Sequence, residues 1–108
     1  MYNGDFMNEL KENVELHVDA KRMLKVIAAE KDVTMKELLL NEARDIIDND
    51  YYVPVREREE EENRSSLIVN VPSDFKDNVR EFIDERDIKI RDLWVESVDR
   101  IIQRYNNV

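Results

Sequence analysis

The stretch that decides the fold is Ser66-Leu67-Ile68-Val69-Asn70-Val71, which is followed at once by Pro72. Leu67, Val69 and Val71 share one face of a two-residue period, as in a strand that packs one side against helices. A lone strand leaves its backbone groups unpaired, and the alternating residues 11–16 offer it a partner. The sequence therefore predicts a two-stranded ribbon made from segments that lie 55 positions apart.

The same 55-residue offset relates most of the chain to itself without a gap. Identical residues recur at this offset, among them Val14 and Val69, Asp19 and Asp74, Glu30 and Glu85, Asp32 and Asp87, Leu38 and Leu93, and Ile46 and Ile101. We interpret the repeat as one supersecondary unit that occurs twice. The 108 residues then form a single domain (1–108), with a first unit at 11–49, a linker at 50–64 and a second unit at 65–105.

Each unit is predicted to consist of a strand, a helix, a turn and a second helix. In the first unit Asp19 is the expected N-cap of the first helix, and Thr34 that of the second, with Glu37 at the capping-box position. In the second unit the helices are expected to start at Ser73 or Asp74 and near Lys89. Apolar residues recur at helical spacing in all four segments, so Phe82 and Trp94 are expected in the core.

Two segments outside this pattern leave alternatives open. Residues 51–55 are apolar and favour a β conformation but contain Pro54, which fits either an edge strand or a clamp over the core. Residues 1–10 form either a short helix or an arm, and either segment offers an additional strand beside the ribbon.

Composition limits the kinds of site that the chain can hold. It has no Cys and a single His, so disulfides, thiolate metal sites and histidine clusters are excluded, and we expect no cofactor, no metal and no enzymatic activity. No apolar run is long enough for a membrane span, which predicts a cytoplasmic protein with no membrane partner. The net charge of −9 weighs against nonspecific nucleic-acid binding, although residues 56–62, with five acids and two bases, hold part of it.

The inter-helix turn Glu30-Lys31-Asp32-Val33-Thr34-Met35-Lys36-Glu37-Leu38-Leu39 resembles that of the ribbon-helix-helix family of DNA-binding regulators, with Asp32 and Asp87 where the family usually has glycine. The strand end Val69-Asn70-Val71-Pro72 is also similar to the family's. The resemblance implies a mainly α fold with a short β-ribbon, duplicated as a single-chain pseudo-dimer. Such tandem forms are similar to small transcription regulators of archaeal filamentous viruses, which would place the protein in the host cytoplasm.

The resemblance also implies a site for double-stranded DNA. With the apolar strand residues facing the helices, the outward residues would contact base edges in the major groove, and these are Lys11, Asn13, Glu15, Ser66, Ile68 and Asn70. The starts of the two second helices would contact phosphates through Thr34, Lys36, Lys89 and Arg91.

Two functions remain open at this stage. The first is a sequence-specific transcriptional regulator, expected to be a repressor and able to regulate its own gene, whose chains could pair on longer sites. The alternative is an acidic protein-binding module derived from the same fold, antitoxin-like or an inhibitor, that no longer binds DNA. Replacing the outward ribbon residues discriminates between them.

Overall fold

The computed structural model describes residues 10–56 and 63–107. In chain order the elements are β1 (Leu10–His17), α1 (Val18–Lys31), α2 (Met35–Asp48), β2 (Arg64–Val71), α3 (Ser73–Arg86) and α4 (Ile90–Asn106). Within the described residues the chain is thus mainly helical, with four helices and one two-stranded antiparallel sheet. The order strand, helix, helix occurs twice, and α3 and α4 each begin 55 positions after α1 and α2.

The predicted ribbon is confirmed, and both strands are longer than the sequence pattern indicated. Leu10 pairs with Val71 and His17 with Arg64, with Asn13 opposite Ile68 near the centre. The Val18 N–H also donates to the Asn63 carbonyl oxygen at 3.0 Å, which prolongs the pairing beyond the strand. Backbone pairing needs no apolar side chain, so the strands extend beyond the alternating residues, at both ends of β1 and at the start of β2.

The prediction that Asp19 caps α1 is wrong. β1 runs into α1 with no intervening loop, and the N-cap is His17, whose Nδ1 accepts a hydrogen bond from the Asp19 N–H at 3.1 Å. Asp19 lies in the first turn instead, where its charge favours the helix N-terminus. The other starts agree with the sequence: Thr34 caps α2, and α3 begins at Ser73, directly after Pro72.

Both inter-helix turns use an aspartate in the left-handed region. Asp32 has φ 57° and Asp87 has φ 52°, each at the C-cap of the first helix of its unit. The next N–H in each turn reaches back into the helix, from Val33 to the Ala28 carbonyl oxygen at 3.0 Å and from Ile88 to that of Ile83 at 3.1 Å. Aspartate tolerates this conformation better than most residues, so the turn forms without glycine.

We expect Asp32→Gly and Asp87→Gly each to raise the free energy of unfolding by about 0.5–1 kcal/mol, because glycine adopts positive φ without a Cβ clash. Asp32→Val should lower it, since a β-branched residue is strongly disfavoured there. Urea unfolding of the variants measures both effects. Stabilities that do not differ between the glycine and valine variants would contradict a strained left-handed turn.

One core joins the inner face of the ribbon to all four helices. Trp94 of α4 is 1% exposed and Phe82 of α3 is 4% exposed, which confirms both as core residues. The ribbon and α1 contribute Val14, Leu16, Leu67, Val69, Val71, Leu24 and Ile27. The inner face of the ribbon and the apolar stripes of the helices therefore share one core.

Residues 51–56 form no strand and run irregularly from α2 towards α4. The Tyr51 N–H donates to the Ile46 carbonyl oxygen at 3.0 Å, and Val53 enters the core with 4% exposure. The Arg56 N–H then donates to Asp92 Oδ1 at 3.1 Å. This segment covers the core through Val53 and adds no strand to the ribbon, whereas residues 1–9 and 57–62 lie outside the described residues.

A buried ion pair joins α2 to α4. The Glu42 side chain is 6% exposed, and both its oxygens lie 2.8 Å from nitrogens of Arg104, while Arg100 Nε lies 3.2 Å from Oε2. Burial by itself raises the pKa of the Glu42 carboxyl, but hydrogen bonds and charges from Arg104 and Arg100 outweigh it and lower the pKa overall.

We expect Glu42→Gln to lower the free energy of unfolding at pH 7 by about 1–3 kcal/mol, because charged hydrogen bonds are lost from a buried site. A folded-state pKa below the unfolded one contributes stability that is present above the ordinary glutamate pKa, about 4.3, and is lost as pH falls through the folded-state value. The variant should therefore lose less stability than wild type on acidification. Urea unfolding from pH 7 to pH 2 measures the loss at pH 7 and the change with pH, with the exposed Glu81→Gln as control. If the variant and wild type lost the same stability between pH 7 and pH 2, the lowered pKa of Glu42 would be refuted.

Candidate nucleic-acid interface

The outer face of the ribbon is polar and open to solvent. All of the predicted base-contacting side chains are exposed there, namely Lys11, Asn13, Glu15, Ser66, Ile68 and Asn70. The apolar side chains between them face the core, where Val14, Val69 and Val71 are 3% exposed or less, and Glu12 is a half-buried polar residue in the same alternation. The alternation predicted from the sequence thus separates one apolar face from one face rich in hydrogen-bonding groups.

The pairing register of β1 and β2 arranges these side chains in three rows across the ribbon. Lys11 lies opposite Asn70, Asn13 opposite Ile68, and Glu15 opposite Ser66. Successive rows are two residues apart, or roughly 6.7 Å along the strand. One end thus presents an ammonium and an amide, the centre an amide and an aliphatic group, and the other end a carboxylate and a hydroxyl. Side chains of each of these kinds can contact base edges in the major groove of DNA.

The start of α2 lies beside this face. Thr34 Oγ1 accepts a hydrogen bond from the Glu37 N–H at 3.0 Å, so it caps the helix. The exposed Lys36, two residues later, lines a shallow hollow with Lys11, Asn13, Ser66 and Ile68. The fold therefore brings one of the predicted phosphate-contacting lysines next to four of the predicted base-contacting residues.

The start of α4 differs from that of α2. Lys89 is exposed, and its N–H donates to Asp92 Oδ2 at 2.9 Å, while the Asp92 N–H donates to the Lys89 carbonyl oxygen at 2.9 Å and not to a hydroxyl. Arg91 donates from Nη2 to the Arg56 carbonyl oxygen at 2.5 Å and lies 3.9 Å from Asp92 Oδ1. Because these contacts occupy part of its guanidinium, a phosphate would have to use its remaining N–H donors. The phosphate role of Arg91 stays a prediction.

Two arginines near the ribbon were assigned no role from the sequence. Arg64 belongs to β2 opposite His17, and it lines a hollow together with Arg91 and Trp94. Extending the predicted second strand by two residues, from Ser66 back to Arg64, would have placed Arg64 in the ribbon. Arg56 holds the linker against α4 through Glu96 at 2.8 Å and Asp99 at 3.0 Å. No sequence pattern indicates that contact, because it depends on the path of an irregular segment.

Other chemistries find little support in the described part of the chain. No group of three or more His, Asp or Glu side chains there could hold a metal ion. His17 Nδ1 is engaged by the Asp19 N–H. Within residues 10–56 and 63–107 no helix has the length and apolar character that crossing a membrane requires.

Comparisons with protein-family models, with curated proteins and with solved structures found no match to this chain. A functional assignment therefore depends on the residues and geometry described above.

Proposed function

We propose that the chain is a tandem ribbon-helix-helix regulator that inserts its ribbon into the major groove of duplex DNA, recognises a preferred sequence and represses transcription. The observation that carries the proposal is the outer face of the ribbon, where every predicted base-contacting side chain is exposed. B-DNA has a major groove about 12 Å wide, which admits a two-stranded ribbon.

The repeated element order supports a pseudo-dimer. An offset of 55 relates α1 to α3, α2 to α4, and the left-handed Asp32 to Asp87. The same offset carries Asn13 onto Ile68, and these two residues lie opposite each other in the ribbon. The pseudo-twofold axis would therefore pass through this pair, as the dyad of a homodimer passes through the centre of its ribbon.

Local charge supports phosphate contacts despite the net charge of −9. Lys36, in the first turn of α2, lies beside the outer face. Arg64, and Arg91 in the first turn of α4, line a hollow that also contains Glu12 and Glu15. The free N–H groups and positive dipole ends of the two helices add to these cations. Phosphates on either side of the groove would then fix the register of the ribbon.

Chemical-shift mapping tests the site. On addition of a duplex to the labelled full-length chain, we expect the largest shifts at Lys11, Asn13, Ile68 and Asn70, and small shifts on the exposed side of α3. Shifts confined to α3, or none at low salt, would refute ribbon binding and favour the protein-binding alternative.

Lys36→Ala should weaken binding by a similar factor for every duplex sequence and reduce the slope of log K against log salt by about 1, because it removes one phosphate contact. Lys25→Ala, on the exposed side of α1, is the matched control and should leave the slope unchanged. Fluorescence anisotropy across a salt series measures both slopes. An unchanged slope in the Lys36 variant would show that Lys36 makes no phosphate contact.

A further inference from the structure

The second strand-helix-helix unit carries a segment of the chain in a groove, and in the first unit no described residue fills the corresponding groove. The occupying segment is residues 51–56, which pass the end of α3 on their way to α4. Tyr51, Tyr52, Val53 and Val55 line one hollow with Glu85, Arg86 and Ile88, and Asp50 forms an ion pair with Arg86. Val53 is the buried member of the segment, with 4% exposure.

The first unit has a hollow of about 1110 Å³ between the end of α1, the middle of α2 and the end of α4. Aliphatic side chains contribute to its lining, namely Ile27, Val33, Leu38 and Ile101. Its rim carries Glu30, Lys31, Asp45 and Tyr105, and the Glu42–Arg104 ion pair lines it as well. We call this hollow the open groove.

The 55-residue offset relates the open groove to the occupied one. Glu30, Lys31 and Val33 in the open groove correspond to Glu85, Arg86 and Ile88 beside residues 51–56. Each pair is identical or of the same chemical class. Leu38 and Ile101 correspond in the same way to Leu93 and Ile46, which both belong to the core that contains Val53. The occupied groove therefore indicates what the open groove can hold.

We propose that the open groove binds a short segment of a partner protein that inserts a small aliphatic side chain, as Val53 inserts in the other unit. The proposal does not depend on DNA binding. An aliphatic anchor would contact the half-buried Val33 and Leu38 beside the buried Ile101, and it would remove the remaining exposed apolar area from water. The internal segment fixes the expected sequence type, an aliphatic residue followed by proline.

The rim differs between the two grooves, and the difference defines the partner further. Arg100 lies 4.3 Å from the centre of the Tyr51 ring, and at the offset its place is taken by Asp45. At this one position the open groove therefore presents a carboxylate where the occupied groove presents a guanidinium, whereas Glu30 and its counterpart Glu85 are the same in both. The partner segment should therefore carry a lysine or arginine before its aliphatic anchor, where the internal segment has tyrosine.

The test uses the labelled full-length chain and a synthetic peptide, Lys-Tyr-Val-Pro-Val-Arg, which copies residues 51–56 with the first tyrosine replaced by lysine. We expect saturable chemical-shift changes at Val33, Leu38 and Asn41. A peptide with Asp in place of the anchoring Val should lose at least about tenfold in affinity. Asn41→Arg, an exposed substitution in the groove, should abolish the changes, while the exposed Glu81→Arg on α3 should not.

The alternatives give different results. Shift changes confined to Glu85, Arg86 and Ile88 would mean exchange with the internal segment, and no saturable change would mean that the groove binds no such peptide. Nuclear Overhauser contacts from residues 1–9 to Val33 or Leu38 in the free chain would make the protein's own N-terminal segment the occupant. Shifts of the groove residues on dilution would make it a second copy. Each of these results would overturn the proposal.

Discussion

A chain that carries Lys11→Ala, Asn13→Ala and Asn70→Ala is expected to bind its preferred duplex at least about 100-fold more weakly than wild type. Each good base contact contributes about 1–3 kcal/mol of discrimination, and every 1.4 kcal/mol corresponds to a factor of ten. All of the substituted side chains are exposed, so the fold should not depend on them. Fluorescence anisotropy gives the affinity, and thermal unfolding verifies the fold.

A matched triple variant provides the control. Lys25→Ala, Asn78→Ala and Asn107→Ala remove the same residue types from exposed positions outside the ribbon. This variant should keep wild-type affinity apart from the small effect of one lost positive charge. Equal affinities of the two triple variants would show that the ribbon does not contact the bases, even if the chain binds DNA.

The largest loss of stability is expected from Trp94→Ala, about 3–5 kcal/mol of unfolding free energy. Trp94 is 1% exposed and lies in α4 within the core that α4 shares with the ribbon, so alanine leaves a cavity that the packed strands cannot fill. A domain of this size is stable by only about 5–15 kcal/mol, so the variant should be close to unfolding at 37 °C. Urea unfolding monitored by circular dichroism measures the change.

Trp94→Phe separates the cavity from the indole N–H. Trp94 Nε1 is buried and has no hydrogen-bond partner among the described residues, so tryptophan pays a desolvation penalty that phenylalanine avoids. We therefore expect Trp94→Phe to cost less than half as much as Trp94→Ala. Equal losses in the two variants would show that the indole N–H makes a contribution that the core packing does not explain.

The parts of the fold that could be predicted are those set by local patterns. The alternation around Val69 located the ribbon, and the apolar stripes located the helices, because burial of one face imposes a period on the sequence. Left-handed turns were expected at Asp32 and Asp87 because the resemblance places a glycine there and aspartate tolerates the same geometry. The outward set of ribbon residues followed from the alternation alone.

The parts that could not be predicted depend on residues far apart in the chain. Glu42 pairs with Arg100 and Arg104, which are 58 and 62 positions away, and no local pattern encodes that contact. The Arg91 guanidinium is engaged by the Arg56 carbonyl group, whose position is set by the irregular path of residues 51–56. At α1, Asp19 was assigned the cap because the strand was expected to end one residue before the true N-cap, His17.

The most direct test of sequence-specific binding is selection from a pool of random duplexes, followed by binding of the selected duplexes across a salt series. We expect an enriched motif that need not be a palindrome, because the row of Lys11 and Asn70 differs from that of Glu15 and Ser66. We also expect a salt slope that corresponds to a few phosphate contacts. Failure to enrich any motif at low salt would refute sequence-specific binding and favour the protein-binding alternative.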